Sequence, residues 1–577
     1  MRSDGTFPEF WHLPTDRVAP ALMNRDGTTS YEQLRLRADH WQSRLGDTRQ
    51  LVFLQVDHSP DAVAIYLACL RGGHVVHPFR DYEPDRMQAL RTAYRPNIIF
   101  HAEPGEYTLE PACDQEHVLH PDLRVLLSTS GSTGTPKFVK LSARNLASNA
   151  ASIAEYLELS PRDRAASPLN FSYSYGLSVI NSALLTGSSV IIPDVPAALP
   201  EFWDLAKRMG ATSFSGVPYH FQMLEHTNRL ADLPDLRYVT QAGGKLAPEL
   251  VRHFAAMGRR QGWRLYVMYG QTEASPRISY VPPERVEQTP DSIGLAIPGG
   301  ELGLIDEAGQ PVTDQVAMGE LVYAGPNVMM GYAHDEQDLG GDDGLRLLAT
   351  GDIARRDGDG LYYIVGRKAR FIKPYGIRVN LDDVEAACRQ VWPDCIVSGT
   401  DERITIGVVR ATPPPTGESS DLAAIASKFQ LPTDKFRIIS IDEIPRLSNG
   451  KINYKHLDET SASAPRNNKI IYHRDDGIGK HINPITQYTT NLLGNFASEL
   501  KKNIFPTESW QSTLAIFQEV VDAKATPGDS FVSLHGNSLS YIETLLALEE
   551  YLGEAPDHWE TLTISDLEAL HRDISAI

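Results

Sequence analysis

The chain has 577 residues, of which 42% are hydrophobic and 22% are charged, so we expect several globular domains and no wholesale disorder. The formal net charge of −20 argues against nonspecific nucleic-acid binding, which needs a basic surface. No apolar run reaches the ~18 residues of a membrane span, the first residues resemble no signal peptide, and the four cysteines have neither disulfide-scaffold nor zinc spacing. We therefore expect a cytoplasmic protein with no membrane and no nucleic-acid partner.

Short strands alternate with helices through the first half of the chain. From residue 49, the runs RQLVFLQVD, AVAIYLACLRGG and HVVHPF predict a strand, a helix and a strand. The runs SSVIIPD, ATSFSGVP, LRYVTQAGG and WRLYVMYG repeat the strand pattern, and LAPELVRHFAAMG predicts a helix between two of them. This alternation predicts an α/β architecture with largely parallel sheets. From about 280 to 365, strands punctuated by glycine and proline follow.

A second, smaller unit follows the first. LYYIVGRKARFIKPYGIRV predicts two strands, LDDVEAACRQV a short helix, and CIVSGT with RITIGVVR a hairpin, together a small α+β unit. The stretch after it has little periodicity and is interpreted as a linker. We expect a large unit at 1–365, a small unit at 366–458, a linker at 459–505 and a C-terminal unit at 506–577.

The C-terminal unit is strongly acidic. Residues 506–577 carry thirteen Asp and Glu against Lys524 and Arg572. Apolar residues recur at steps of three and four, which predicts two amphipathic helices, at Leu514, Phe517 and Val521 and at Leu539, Ile542 and Leu546. A folded, acidic, all-helical domain is therefore favoured over a solvated tail.

A loop rich in glycine and hydroxyl residues follows a strand-like run. Residues 128–137 read STSGSTGTPK, in which backbone N–H groups and hydroxyls can converge on phosphate oxygens and Lys137 adds a positive charge. The spacing excludes an ordinary P-loop, because Pro136 stands where the second glycine of that motif would be. The loop predicts a phosphate-binding site of another kind.

The loop and five later motifs resemble those of the acyl-adenylate-forming superfamily, which includes acyl-CoA synthetases, luciferases and nonribosomal peptide synthetase adenylation domains. The resemblance covers about residues 10–458, and the motifs occur in the family's order. The later motifs are Tyr269-Gly270-Gln271-Thr272-Glu273, the GEL stretch from Gly319 to Tyr332, Thr350-Gly351-Asp352, the block from Gly366-Arg367 to Arg378, and Asn449-Gly450-Lys451. The resemblance implies a multi-sheet adenylation domain with a small α+β lid.

The resemblance also implies ATP and Mg²⁺ as cofactors and a role for each motif. Lys451, Thr272 and Glu273 are the implied catalytic residues, with Glu273 also the Mg²⁺ ligand. Lys451 would reach the carboxylate and the α-phosphate, and Asp352 with Arg367 would bind the ribose hydroxyls. The implied ATP-binding residues are Thr129, Ser130, Gly131, Ser132, Thr133, Gly134, Lys137, Gly243, Gly244, Tyr269, Gly270, Asp352 and Arg367.

A second resemblance lies in the C-terminal unit. Residues 529–539, DSFVSLHGNSL, resemble the D-x-F-x-x-L-G-G-D-S-L signature of acyl and peptidyl carrier proteins, with His535 and Asn537 as departures. This implies a four-helix carrier domain with 4′-phosphopantetheine on Ser538, where a helix N-terminus favours the phosphodiester. The implied partners are a phosphopantetheinyl transferase and downstream enzymes that accept or modify the acyl group.

Two departures concern the substrate and the hinge. Amino-acid-activating relatives have an Asp in the segment that here reads NFSYSYGL, residues 170–177, and this segment contains no acid. Its pocket residues, Phe171, Tyr173, Tyr175 and Gly176, favour an apolar, aryl or hydroxylated carboxylic acid, because a buried ammonium without a carboxylate is costly. The second departure is Ala369, at a position where relatives carry an Asp or Lys hinge.

The sequence thus predicts an AMP-forming ligase that adenylates a carboxylic acid and loads it on its own carrier domain. An amino-acid-activating minimal nonribosomal peptide synthetase module and an acyl-CoA ligase remain alternatives among enzymes. The alternative from another class is a degenerate ATP-binding scaffold with a carrier interaction module, and the presence of Glu273 and Lys451 argues against it.

Overall fold

A computed structural model gives the fold of two compact units, residues 1–473 and residues 474–577. The described residues are all except 1–5, 14–17, 81, 83, 104, 129–136, 226, 228, 375–378, 410–417, 430, 442, 446–451, 455, 458–511, 521–525, 528–543, 545–547, 549–550, 552–562 and 576–577. Each unit is described by itself below.

The strands of the first unit are numbered in chain order. They are β1 Pro20–Asn24, β2 Gly27–Ser30, β3 Leu51–Gln55, β4 Val75–Phe79, β5 Ile98–Glu103, β6 Glu106–Pro111, β7 Leu123–Ser128, β8 Phe138–Ser142, β9 Arg164–Ala166, β10 Ser189–Ile191, β11 Ser213–Gly216, β12 Tyr238–Gln241, β13 Arg264–Gly270, β14 Arg277–Tyr280, β15 Leu295–Ala296, β16 Glu301–Ile305, β17 Ala317–Ala324, β18 Gly331–Ala333, β19 Leu348–Arg356, β20 Tyr362–Arg367, β21 Phe371–Ile372, β22 Val379–Asn380, β23 Cys395–Gly399, β24 Ile404–Val409 and β25 Phe436–Ile441.

The helices of the first unit are numbered in the same way. They are α1 Tyr31–Leu45, α2 Pro60–Gly72, α3 Pro84–Tyr94, α4 Ala143–Tyr156, α5 Ser174–Thr186, α6 Pro200–Arg208, α7 Pro218–Leu224, α8 Pro248–Gln261, α9 Leu381–Arg389 and α10 Glu418–Lys428. Short 3₁₀ turns occur at Thr272–Ala274, Glu336–Gly340, Lys368–Arg370 and Thr433–Lys435.

Two large sheets form the body of the first unit. One has nine strands in the order β15-β14-β13-β12-β11-β9-β10-β1-β2, and the other has seven in the order β18-β8-β7-β4-β3-β5-β6. The central strands pair in parallel, as β11–β12–β13 and β4–β3–β5 do, and they are buried along most of their length. Strands buried on both faces read as apolar runs, which is why the sequence predicts them. The α/β multi-sheet fold is confirmed.

Beyond the two large sheets the four-stranded sheet is antiparallel, and the three-stranded sheet is mixed, with β23–β24 antiparallel and β24–β25 parallel. The strands β16-β17-β19-β20 form a four-stranded sheet, and β23-β24-β25 form a three-stranded sheet against which α9 packs. The hairpin predicted at CIVSGT and RITIGVVR is β23–β24, and the helix predicted at LDDVEAACRQV is α9. The domain boundaries at residues 365, 458 and 505 stay predictions.

Ala369 lies in the 3₁₀ turn Lys368–Arg370, directly after β20. The turn has ion pairs on both sides of Ala369. Lys368 Nζ lies 2.5 Å from Glu320 Oε2, and Lys373 Nζ lies 3.1 Å from Glu307 Oε2. Of these two pairs, only Lys368–Glu320 links the turn to the four-stranded sheet, because Glu307 lies in the turn after β16 and its pair with Lys373 is exposed.

The described residues of the second unit include two helices. These are α11 Thr513–Val520, which lies where Leu514 and Phe517 predict a helix, and α12 Ile564–Ser575, which the apolar spacing did not predict. The buried residues of this unit that the structure describes are mainly apolar, with Ile516, Phe517, Leu548, Ile564 and Leu567 at 0–1% exposure beside Thr513 and Thr544. Glu568 on α12 accepts hydrogen bonds from the Thr513 backbone and the Tyr551 hydroxyl. Residues 474–577 therefore contain a packed helical core, while most of the predicted helix from Leu539 to Leu546 lies outside the described residues.

Candidate functional site

Four of the predicted ATP-binding residues lie at the carboxyl ends of two adjacent parallel strands, β12 and β13. Gly243 and Gly244 follow β12, and Gly270 ends β13. A crevice outside the carboxyl ends of parallel strands is the usual ligand site of an α/β sheet. Gly243 has a φ of +85°. A Cβ added at Gly243 would lie 3.1 Å from Val217, and one added at Gly244 would lie 3.1 Å from Pro218, both of which follow β11. The two glycines therefore let the turns after β11 and β12 pack together at this edge.

Gly270 is required by a close approach of two backbones. A Cβ at this position would lie 2.0 Å from the carbonyl oxygen of Pro276, where no real Cβ fits. The chain turns back here, so that Gly270 pairs with Arg277 across β13 and β14. The predicted motif residues Thr272 and Glu273 occupy the turn between the two strands.

Asp352 joins two of the sheets. Its Oδ1 lies 2.8 Å from Arg367 Nε, and its Oδ2 accepts a hydrogen bond from the Tyr269 hydroxyl. Asp352 and Arg367 are directly paired across β19 and β20, whereas Tyr269 belongs to β13 of the nine-stranded sheet. Burial, with the charge of Asp352, raises the pKa of Tyr269 well above its ordinary value, so the hydroxyl donates. Because a carboxylate can accept about four hydrogen bonds, Asp352 can also accept two hydroxyls of a diol.

Glu273 is positioned by a tyrosine that the sequence analysis gave no role. The Tyr332 hydroxyl donates to Glu273 Oε1 at 2.8 Å. Burial and the charge of Glu273 raise the pKa of Tyr332, so this hydroxyl stays protonated. The amino group of Lys137 lies 3.8 Å from the centroid of the Tyr332 ring. Lys137 thus lies over the ring of Tyr332, and Glu273 accepts a hydrogen bond from the hydroxyl of the same side chain.

The second oxygen of Glu273 is available to a ligand. Among the residues that the structure describes, no donor bonds Oε2. A half-buried carboxylate oxygen beside the predicted phosphate loop is the donor type that Mg²⁺ prefers. The residues present therefore fit the Mg²⁺ that the sequence analysis expects.

Thr272 connects the turn after β13 to the segment predicted to bind the acid. Its Oγ1 lies 3.3 Å from Ser174 Oγ, the first residue of α5. The N-terminus of α5 therefore lies beside the Thr272 hydroxyl, and the next residue, Tyr175, faces the interior behind it.

The four predicted pocket residues are not all brought together. Tyr175 is buried and lines an enclosed cavity of about 20 Å³ between α4, α5 and β11–β14, and its hydroxyl bonds Thr240 Oγ1 at 2.9 Å. Phe171 and Gly176 line a separate cavity of about 10 Å³. The side chain of Tyr173 is 46% exposed. Their role in substrate binding stays a prediction.

Arg277 is a polar residue of the Tyr175 cavity that sequence reasoning missed. It begins β14 and is 3% exposed, and its guanidinium carbon lies 4.7 Å from the centroid of the Tyr175 ring. A signal was present, because an arginine four residues after Glu273 opens the strand-like run RISY. A single charge in such a run is usually an exposed edge residue, so the pattern alone does not place it inside.

Several predicted residues lie outside the described part of the chain. They are Thr129, Ser130, Gly131, Ser132, Thr133, Gly134, Lys451 and Ser538. The strands flanking the phosphate loop, β7 and β8, pair with each other, so the two ends of that loop lie side by side. None of the helices in the described ranges is long and apolar enough to span a membrane.

Comparison with solved structures supports the same fold. ATP-bound MatB from Rhodopseudomonas palustris is similar with a TM-score of 0.66 and 23% identity, covering 79% of this chain and 99% of that one.

Three relatives of known description are similar in sequence. Indoleacetate–CoA ligase of Aromatoleum aromaticum is 30% identical over 56% of this chain, and L-proline–[L-prolyl-carrier protein] ligase of Streptomyces coelicolor is 35% identical over 65% of it. The hybrid PKS-NRPS synthetase TAS1 of Gloeophyllum trabeum is 23% identical over 91%. The chain spans 64%, 67% and 36% of the lengths of these three proteins. Residues 11–333 match the family described as AMP-binding enzyme. Since this match covers more than half of the chain, the protein belongs to the family of AMP-binding enzymes, as its motifs predict.

Proposed function

We propose that the protein activates a carboxylic acid with ATP and loads it on its own C-terminal unit. In the first half-reaction a carboxylate oxygen attacks the α-phosphorus of ATP, the bond from that phosphorus to the bridging oxygen breaks, and pyrophosphate leaves. In the second, a phosphopantetheine thiolate attacks the acyl carbon, the bond to the adenylate oxygen breaks, and AMP leaves. The single observation that carries the proposal is the meeting of Asp352, Arg367 and Tyr269 at one end of the crevice and of Glu273, Tyr332 and Lys137 beside the phosphate loop.

The two clusters suit the two ends of ATP. Asp352 can accept both ribose hydroxyls, with Arg367 and Tyr269 holding its carboxylate in one orientation. Lys137 adds a positive charge at the start of β8, next to the loop of residues 128–137. Thr272 stands in the chain between Tyr269 of the first cluster and Glu273 of the second, and the proposal assigns it to the point where the α-phosphate and the carboxylate would meet. Lys451 is assigned by its motif to the same point.

Charge is the main obstacle to the first half-reaction, because two anions must approach each other. Preorganised positive groups lower such a barrier most where water is excluded. Mg²⁺, when bound, supplies charge neutralisation at the phosphates. Glu273 would hold it through the oxygen that Tyr332 leaves available, and Tyr332 keeps the carboxylate from rotating.

The carrier half of the proposal is supported by the C-terminal motif and by the relatives. Residues 529–539 resemble the carrier signature around Ser538, with His535 and Asn537 as departures, and Ser538 lies outside the described residues. One relative is named for loading a carrier protein, and the alignment with the hybrid synthetase covers 91% of this chain. The packed helical core of residues 474–577 and its acidic composition fit a carrier domain.

Pyrophosphate exchange tests the first half-reaction. The full chain, Mg²⁺ and ATP are incubated with labelled pyrophosphate and a panel of fatty, aryl, hydroxy and dicarboxylic acids and amino acids. We expect acid-dependent exchange with at least one non-amino acid. No exchange with any acid contradicts the enzyme proposal and favours the scaffold alternative, whereas a clear preference for an amino acid favours the peptide-synthetase alternative.

Ser538→Ala tests the second half-reaction. After treatment with CoA and a phosphopantetheinyl transferase, intact-mass measurement should show one added arm on the wild type and none on the variant. Exchange should be unchanged, because Ser538 takes no part in adenylation. Ser533→Ala, in the same segment, is the matched control and should accept the arm. No arm on the wild type, with AMP release driven by free CoA, favours the acyl-CoA ligase alternative.

A further inference from the structure

Arg277 is a buried cation that pairs with no carboxylate among the residues the structure describes. It is 3% exposed, and in the described part of the chain no acid forms an ion pair with it. One guanidinium nitrogen donates to Ser178 Oγ at 3.2 Å, and the Nε has no hydrogen-bond partner among the described residues. Burying a charge that is neither paired nor fully hydrogen-bonded is costly. Such a group is retained where a ligand supplies the missing charge.

The nearby groups cannot neutralise it. Burial raises the pKa of Tyr156 to about 12 and also raises that of Tyr175, so both phenols stay neutral. Asp163 lines the same cavity, but its oxygens bond Arg237, Thr212 and Ser160. The cavity therefore holds a positive charge whose counter-ion is not supplied by its described walls.

The remaining walls are polar, and Ser178, Ser182, Ser215, Thr240 and Tyr175 contribute hydroxyl-bearing side chains to the cavity around Arg277. The hydroxyls of Ser178, Ser182 and Thr240 donate within the fold. The Nε of Arg277 is therefore the donor that a bound anion would engage. The space is about 20 Å³, which is room for one small group and not for a long chain. The backbone carbonyl of Arg277 accepts a hydrogen bond from Asn327 Nδ2 at 2.8 Å, which fixes the position of the backbone that carries the arginine side chain.

One wall residue of the cavity is adjacent in the chain to a neighbour of Thr272. Tyr175, which stacks on the guanidinium, is adjacent to Ser174, whose hydroxyl lies 3.3 Å from Thr272 Oγ1. Arg277 itself is paired with Gly270 in the strand register. An acid whose reacting carboxylate lies at Thr272 would thus point its other end toward Arg277.

We propose that the substrate is a short dicarboxylic acid, one carboxylate of which is adenylated while the other pairs with Arg277. This inference rests on the proposed function, since it names the substrate class of the same site. A dicarboxylic substrate agrees with the expectation that the acid carries no amino group, because Arg277 would repel the ammonium of an amino acid. It replaces the apolar or aryl acid that the 170–177 segment suggested by itself.

The test compares matched acids in pyrophosphate exchange with the full chain. The pairs are propanoate with malonate, butanoate with succinate, and pentanoate with glutarate. For at least one pair we expect the diacid to have a kcat/KM at least tenfold above that of the monoacid. Preference for the monoacid in every pair, or for an amino acid, overturns the inference and leaves adenylation standing. Absence of exchange with the whole acid panel overturns both.

Variants at Arg277 locate the source of the preference. Arg277→Met should lower kcat/KM for the preferred diacid at least 30-fold and change that for the matching monoacid less than threefold, so that monoacid turnover reports an intact fold. Arg277→Lys, which keeps the charge, should retain part of the diacid preference. Arg264→Met is the control, because Arg264 lies on the adjacent strand and pairs with Glu158 at the surface. An unchanged diacid preference in Arg277→Met contradicts the assignment, as does equal loss with both acids.

Discussion

The two ends of the adenylation crevice are built in different ways. At the nucleotide end, motif residues meet through charged pairs near the surface, such as Asp352 with Arg367, whose side chain is 54% exposed. At the acid end, buried polar groups from α5, β12 and β14 surround Arg277. Asp352 and Arg367 are paired before any ligand binds, whereas among the described residues no acid pairs with Arg277 at the acid end. The first end is therefore preorganised for a constant ligand, and the second depends on its ligand for charge balance.

Lys451→Ala should produce the largest effect, because it removes a cation that both ends would share. Losing one preorganised contact costs about 3–4 kcal/mol, or roughly 10²–10³ in the rate of adenylate formation. Thioester formation from a supplied acyl adenylate should be unchanged. Lys428→Ala, an exposed lysine of the same small unit, is the control. Near wild-type pyrophosphate exchange in Lys451→Ala would refute its assignment.

Acid pH should weaken the sheet beneath the nucleotide end. His77 on β4 is fully buried, its Nδ1 lies 2.9 Å from the Leu126 carbonyl oxygen on β7, and burial lowers its pKa from 6.5 to about 4. Below pH 6.5 the imidazole of His77 is protonated in the unfolded chain but stays neutral in the folded chain down to about pH 4. The contribution of His77 to the free energy of unfolding is therefore fully present above pH 6.5 and is lost as the pH falls toward 4. At pH 5 the loss should be about 2 kcal/mol.

Urea unfolding at pH 7.5 and pH 5 measures this loss. His77→Gln should show a smaller difference between the two midpoints than the wild type, whatever its stability at pH 7.5. His101→Gln, at a surface pair with Glu110, should behave like the wild type. If the difference between the two urea midpoints were the same in His77→Gln as in the wild type, groups other than His77 would govern the loss of stability at acid pH.

Tyr332→Phe tests whether the nucleotide end depends on hydrogen bonds as well as on charge. The variant loses the bond to Glu273 and keeps the ring beneath Lys137. A hydrogen bond to a charged group contributes about 1.5 kcal/mol, so kcat/KM at limiting Mg²⁺ should fall about tenfold. Saturating Mg²⁺ should restore part of it. Tyr363→Phe removes a tyrosine–carboxylate bond to Asp357 outside the crevice and serves as the control. Equal losses at all Mg²⁺ concentrations would separate Tyr332 from metal binding.

Tyr175→Phe should have the smallest effect and should separate the two ends. It removes the hydroxyl that bonds Thr240 and leaves the ring under Arg277. One neutral hydrogen bond is worth about 1 kcal/mol, so KM for the acid should rise about fivefold. KM for ATP, measured in the same assay, should not change. A parallel rise in both constants would mean that the two ends are coupled.

The same contrast explains how much the sequence could predict. The nucleotide end is carried by contiguous motifs, so Tyr269, Asp352 and Arg367 could be assigned from order alone, and the structure brings them together. The parallel strands could be predicted because burial on both faces requires unbroken apolar runs. These features are local in the chain.

The acid end could not be predicted in this way because its residues come from distant segments. Ser174 meets Thr272 across 98 positions, and Tyr175 meets Thr240 across 65. Within the 170–177 segment, helix geometry points Tyr175 into the Arg277 cavity and Gly176 elsewhere, which spacing alone does not reveal. Tyr332 was part of a recognised motif, but its bond to Glu273 depends on β18 lying beside the turn after β13.

The backbone at Arg277 is held independently of its side chain. The amides of Asn327 and Asn149 both donate to its carbonyl oxygen, at 2.8 Å and 3.3 Å, and both also donate to the carbonyl of Ala274. Neither contact depends on which side chain position 277 carries. Evolution can therefore exchange this residue without moving the turn that carries Thr272 and Glu273. Under the proposed function, position 277 is thus a point at which a single substitution would change the acid preference and leave the use of ATP unchanged.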